Sequence, residues 1–391
     1  MKKRLLSVFL CLCMVFGLVP ATVWAETTNG HTHYLCGGST CNGSGHENET
    51  YKTTFEKEIK QEGNTLKIGG ESWAPTKGSN DTFYILPTGT YYLGSDISLE
   101  YTIKIENNVT LCLNEHKITA ADGMDAIYMT GGSFTLTDCK GVGTITHASS
   151  KTGRGVYVSS GTFNMYGGSI TGNTANSYGG GVYVDGGEFT MSGGTIGGTK
   201  TGETNTATYG GGGVYAKANF EMTGGSITGN ETNRGGGVYV TGKGSFTMSA
   251  SADGQNIPSI TGNNATDNGG GVYVIGSSST FEMTGGSITG NNAAYGGGVC
   301  VSKNGSFEMS GSSCITNNKA DSYGGGVNIN YASATFTMKG GSITGNNAYK
   351  SDYISTFGGG VCVGSGIFTV SGEVTVTDNT KGGTKGADGK F

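Results

Sequence analysis

The sequence predicts an all-β fold, a right-handed parallel β-helix solenoid with three short strands per rung. Three observations lead there. The chain of 391 residues holds 75 Gly and only 4 Pro, with no Gly-X-Y period, which excludes collagen. A unit reading GGGVYV, then F-x-M, then GGSITGN recurs at spacings of 24 to 34 residues, the signature of a repeat architecture. Within each unit, apolar residues alternate with polar ones, the two-residue period of a strand with one buried face.

Residues 1–25 read as a secretory signal peptide. Lys2, Lys3 and Arg4 precede an apolar run from Leu5 to Leu18, then Pro20 and a small-residue site ending at Ala25. Cys11 and Cys13 lie inside it, without the small residue before them that a lipoprotein cleavage site needs. Secretion, with the mature chain associated with the cell surface, is the expected location. No later apolar stretch is long enough to span a bilayer. The whole chain carries a formal charge of −5, and loss of the leader's cations makes the remainder more acidic. With Arg154 and Arg234 the only arginines left, nucleic acid and anionic membranes are poor partners.

Residues 26–50 form a polar segment containing His31, His33, Cys36, Cys41 and His46. A Cys-x4-Cys flanked by His is within the range of structural zinc sites, and no other cofactor is indicated. A small Cys36–Cys41 disulfide, or a tail that forms neither, fits the same residues. Residues 51–80 are expected to be a linker or N-terminal cap with Trp73 packed over the first rung, since a solenoid end needs covering. Rungs begin near Phe83 and fill residues 81–391, the unit around Ile103, Leu111 and Ile118 being irregular. The chain ends at Phe391 after a Gly/Lys stretch with no cap or sorting signal, as expected of an incomplete solenoid.

Each unit offers three strands. In the first, Val182 and Val184 flank Tyr183, and the flanking columns stay apolar from copy to copy, so they face inward. In the second, Phe134, Phe163, Phe189, Phe220, Phe246, Phe281, Phe307, Phe336 and Phe368 form an unbroken column beside one of Met, Leu or Val. In the third, Ile145, Ile170, Ile196, Ile227, Ile260, Ile288, Ile315 and Ile343 form another. Stacking closes a core that no unit closes alone, each strand pairing in parallel with its neighbour about 4.8 Å away. Gly pairs mark corners that require φ > 0. Asn173, Asn230, Asn263, Asn291, Asn318, Asn346 and Asn379 end the third strands at one fixed position. A ladder of carboxamides along the axis is expected there, more than a set of separate turn residues. Thr199 interrupts that column.

The pattern GGGVYV…FTM…GGSITGN resembles the Gly-rich right-handed β-helix surface proteins of gut Firmicutes. NVTLCLNEHKI (residues 108–118) and FTLTDCKGVGTITH (residues 134–147) resemble the entry coils of the same group. More distantly, the units are similar to adhesin repeats of autotransporters and of chlamydial polymorphic membrane proteins. The resemblance covers residues 81–391 and implies the fold; for function it implies only a surface-exposed, adhesin-like role.

Candidate chemistry is sparse. Cys112 and Cys139 are expected in the second strand of adjacent early rungs, so a cross-rung disulfide is within reach. Cys300 and Cys362 share the outward Tyr column but are two rungs apart, about 9.6 Å, too far to bridge. Cys314 lies on another face, and a mature chain with several free thiols suits an anaerobic exterior. β-Helix enzymes that cleave pectin carry clustered carboxylates with Lys or Arg, whereas Asp185, Asp253, Asp267, Asp321 and Asp352 are scattered over loops. Glu282 and Glu308 adjoin in an outward column, read as a solvated face more readily than as a cation site.

Tyr128, Tyr157, Tyr183, Tyr215, Tyr239 and Tyr273 fill one outward column in consecutive rungs. Two readings stand beside each other: stacked rings that stabilise a sheet, or an aromatic strip for glycan or a neighbouring protein surface. Outward rings are expected to tolerate replacement, and the loops from Glu231–Arg234 to 347–357 to form a variable rim. The leading expectation is a non-catalytic, secreted or cell-surface binding protein of adhesin type. A polysaccharide lyase or glycoside hydrolase built on the loops, and a passive stalk, are the alternatives.

Overall fold

The protein, described as a computed structural model, is defined over residues 31–34, 52–251, 254, 256–349 and 358–381. Among these residues there are strands and turns but no helix, hence none long and apolar enough to cross a membrane. From Thr82–Leu86 to Thr380–Lys381, strands pair in parallel with their equivalents one rung away. The fold is a parallel β-helix. Register follows the columns one to one: Val182 lies opposite Val214, Phe189 opposite Phe220 and Ile196 opposite Ile227.

The inward columns make the core. Phe220 is 1% exposed and Met222 and Val238 are fully buried, as are their equivalents in neighbouring rungs. The Phe rings stack face to face from Phe134 to Phe368, with centroids 4.6–5.4 Å apart. Strand spacing alone dictates that distance. Each buried ring contributes about 1.5–3 kcal/mol of hydrophobic stabilisation.

The three expected strands of each rung are present, and a fourth short one follows the Asn column. These fourth strands run from Thr174–Ala175 to Thr380–Lys381 in an eight-stranded sheet. Their inward residue is small: Ala175, Ala207, Ala265, Ala293, Ala320 and Ala348 are buried. Alanine gives too weak an apolar signal to stand out as a column. Glu231–Arg234, which reads as a loop in the sequence, is one of these strands.

The carboxamide ladder is present and longer than the sequence suggests. Asn230 donates from both its backbone N–H (3.0 Å) and its Nδ2 (2.9 Å) to Asn263 Oδ1. Asn263, Asn291, Asn318 and Asn346 repeat the pattern upward to Asn379. Each Nδ2 also reaches an Ile carbonyl, as Asn263 does to Ile227 O at 2.9 Å. The gap at Thr199 is filled by Asn205, which links Asn173 to Asn230. The chain makes a detour through Gly198–Glu203 and returns to the column six residues late. His147 closes the lower end, with Nδ1 2.8 Å from Asn173 Oδ1 and Nε2 2.8 Å from Met124 O.

The ladder explains the glycine triplet. Gly211 and Gly235, first in their triplets, have φ of +67° and +63°. Only the first position therefore needs the left-handed region. The third is required for space: a Cβ on Gly213 would meet Gly237 O at 2.6 Å and Ile227 Cγ2 at 2.8 Å. Except before Asn205, where the connection is longer, the residue before each ladder Asn is also left-handed. It is Gly in most rungs, but Asn317 (φ 55°) and Asp378 (φ 56°) stand in, the residue types that tolerate this conformation best.

A hairpin packs at the N-terminal end of the solenoid. Lys57–Glu62 and Thr65–Ile68 form an antiparallel hairpin whose first strand pairs with Gly89–Leu93. Trp73 is buried against Tyr84, ring centroids 5.0 Å apart, and its Nε1–H donates to Ile85 O.

Candidate functional site

The middle residue of each first strand points away from the core. Tyr128, Tyr157, Tyr183, Tyr215, Tyr239 and Tyr273 are followed in register by Cys300, Asn328 and Cys362. The expectation of six presented rings needs correction. Tyr128, Tyr157 and Tyr183 are half-buried, but Tyr215 is 7%, Tyr239 8% and Tyr273 4% exposed. The last three pack with Cys300 into a second apolar cluster outside the main core. The fourth strand and the segment after it cover the column here, and the Tyr178 ring lies 4.5 Å from that of Tyr215. Burial pushes the Tyr239 phenol up to about 12. Structural packing therefore describes half of this column, and those rings have no face to offer a ligand.

The half-buried rings are also engaged. The Arg154 guanidinium sits over Tyr157 and Tyr183, 4.7 and 4.9 Å from the ring centroids. It donates to Asp125, to Tyr178 O and to Ser177 Oγ. Tyr183 Oη–H donates to Asp185 at 2.9 Å, and Lys217 pairs with the same carboxylate. Lys217 holds Asp185 below the usual carboxylate range. Asp125 goes the other way, because burial outweighs the Arg154 charge.

Where the column changes from Tyr to Cys300, Asn328 and Cys362, the side chains become too small to fill the space. A cavity of about 680 Å³ opens there. One wall is Tyr295 and Tyr323, from successive fourth strands, stacked at 5.6 Å and 12°. Among the described residues, Asn328, Asn330, Val361, Cys362, Val363 and two glycines also line it. Asn328 is buried with its Nδ2 on Cys300 Sγ at 3.7 Å, so the exposed Asn330 is the carboxamide that can donate and accept beside the rings. The residues of this site escape a sequence reading because Tyr295 and Tyr323 belong to the unrecognised fourth strand. The available signal was the loss of Tyr from the outward column after Tyr273.

The remaining candidates separate. His31 and His33 lie on the strand His31–Tyr34, paired antiparallel with Lys52–Phe55; Cys36, Cys41 and His46 lie outside the described residues, as do residues 1–25, Asp253 and Asp352. Glu282 and Glu308 are opposite each other, but Lys339 Nζ takes Glu308 at 2.6 Å. Asp267 pairs with Arg234 at 2.9 Å. Cys300 and Cys362 flank Asn328 in the column, and Cys314 is in the third strand. Cys139 is not in a second strand: it follows Ile127–Thr137, and the register partner of Cys112 is Thr137.

Comparison of the chain with protein-family models, curated proteins and solved structures finds no match.

Proposed function

We propose that this chain is a secreted or cell-surface, adhesin-like β-helix that binds glycan without catalysis, through the cavity lined by Tyr295, Tyr323, Asn330 and Cys362. The observation that carries the reading is the stacked Tyr295–Tyr323 pair lining the same space of about 680 Å³ as the exposed Asn330. Phenol faces suit the C–H surface of a pyranose ring, and carboxamides suit its hydroxyls. The volume is that of an ordinary small-molecule site. The basic–apolar–small-residue leader at 1–25 supports secretion, and the likeness to Firmicute surface proteins supports an adhesin-like setting.

A glycan array probed with the chain lacking residues 1–25, followed by calorimetric titration of each hit, tests the reading. Binding should weaken roughly tenfold or more in Tyr323→Ala and in Asn330→Ala, and remain unchanged in Tyr128→Ala. Folded protein that binds no glycan, or binding indifferent to both cavity substitutions, would overturn the assignment. Cleavage of the bound glycan would replace it with a lyase or hydrolase.

A further inference from the structure

Cys112 ends the strand Val109–Cys112 and is buried, whereas Cys139 is exposed in the next rung. The two sulfurs and a carboxylate oxygen of Asp138 all lie within 4.8 Å of one another. Cys139 Sγ–H also donates to Asn114 Oδ1 at 3.4 Å. Two chemistries could use this group: a soft metal ion, or a disulfide. Asp138 decides between them. Its Oδ1 accepts from the backbone N–H of Glu115 and of Lys140, and its Oδ2 from that of Gly143 at 2.6 Å. The carboxylate is thus occupied in holding the turn. Two thiols remain, too few for a closed tetrahedral zinc site and the right number for a disulfide.

We propose that Cys112 and Cys139 are a covalent modification site, closed to a disulfide between adjacent rungs by a small-molecule disulfide such as oxidised glutathione. Exposed Cys139 loses its proton and attacks one sulfur of the oxidant, forming a mixed disulfide and expelling one thiolate. Cys112 then loses its proton, attacks the Cys139 sulfur and expels the second thiolate. Two protein thiols are oxidised and one oxidant disulfide is reduced to two thiols. In the reduced protein the hydrogen bond with Cys139 and burial both push the Cys112 thiol up; burial persists in the mixed disulfide, so the second step is the slow one and accelerates as pH rises. The bond closes a loop of one full rung and ties the irregular entry rungs to the regular ones above.

The test uses the chain lacking residues 1–25, reduced and then equilibrated with graded glutathione mixtures. Non-reducing digestion and mass spectrometry should find a cross-linked peptide pair, lighter by two hydrogens, joining Cys112 to Cys139. Cys300, Cys314 and Cys362 should stay open to alkylation after denaturation. The pair should vanish in Cys139→Ser and in Cys139→Ala. Closing the bond should lower the unfolding equilibrium constant on the order of a hundredfold. Alkylation of Cys112 and Cys139 in fully oxidising mixtures would overturn the proposal. So would a metal ion held by the two thiols of the reduced protein that blocks closure, or a bond from either to Cys36 or Cys41.

Discussion

Replacing Asn263 by Ala removes four hydrogen bonds from the interior: two accepted from Asn230, one donated to Ile227 O and one donated to Asn291 Oδ1. Asn230, Asn263 and Asn291 are all within 1% of full burial. Asn291 Oδ1 keeps the backbone N–H of residue 263, and Asn230 Nδ2 keeps Ile196 O. The backbone N–H of Asn230 and the carbonyl of Ile227 lose their ladder partner. At about 1–3 kcal/mol for each buried group left unsatisfied, the substitution should cost about 2–6 kcal/mol. Asn264 is the control: it is one residue later and half-exposed, and its side chain reaches only Glu231 and Asn292. Asn264→Ala should cost less than about 1 kcal/mol. Urea unfolding followed by far-ultraviolet circular dichroism measures both. Trp73 fluorescence reports the cap separately and shows whether the solenoid still unfolds as one unit. Equal costs for the two substitutions, or a cost below about 1 kcal/mol at Asn263, would refute the ladder as a stabilising element.

Phe220→Ala removes a ring stacked at 4.7 Å on Phe189 and 4.6 Å on Phe246, and should cost about 3–5 kcal/mol in the same unfolding assay. Tyr239→Ser empties the second apolar cluster and should cost about 3 kcal/mol, whereas half-buried Tyr128→Ser should cost under about 1 kcal/mol; equal values would mean the column is uniformly exposed. Asp185 has a folded pKa below its unfolded one. Its stabilisation is therefore present above about pH 4 and lost as pH falls through the lower folded value. Unfolding midpoints measured from about pH 2 to pH 6 should fall less steeply in Asp185→Asn than in the parent. Asp125, raised by burial, has the opposite sign and loses stability as pH rises past its unfolded value.

What the sequence reveals follows the size of the inward side chain. Phe, Ile and Val columns are legible because each inward residue is large and its neighbours are polar. The fourth strand is not, since Ala265 or Ala293 looks the same in a loop as in a strand. That omission carries through to the site: without the fourth strand, nothing predicts that Tyr178 covers Tyr215 or that Tyr295 and Tyr323 stack. Direction away from the core was read correctly for the Tyr column, but direction is not exposure. Asn205 was missed for a different reason. A fixed offset from the third strand finds ladder residues only while the connection keeps its length, and Gly198–Glu203 lengthens it.

The ladder separates two quantities that most folds tie together, the length of the chain and the length of the molecule. Successive rungs consume from 24 to 34 residues, yet each adds the same rise of about 4.8 Å. Surplus residues are sent sideways and the register of the columns is kept. The detour through Gly198–Glu203 is such a side excursion, ended when Asn205 returns to its place. The molecule therefore acts as a ruler whose graduations are set by carboxamides, and whose arms can lengthen, shorten or change chemistry without moving any mark above them.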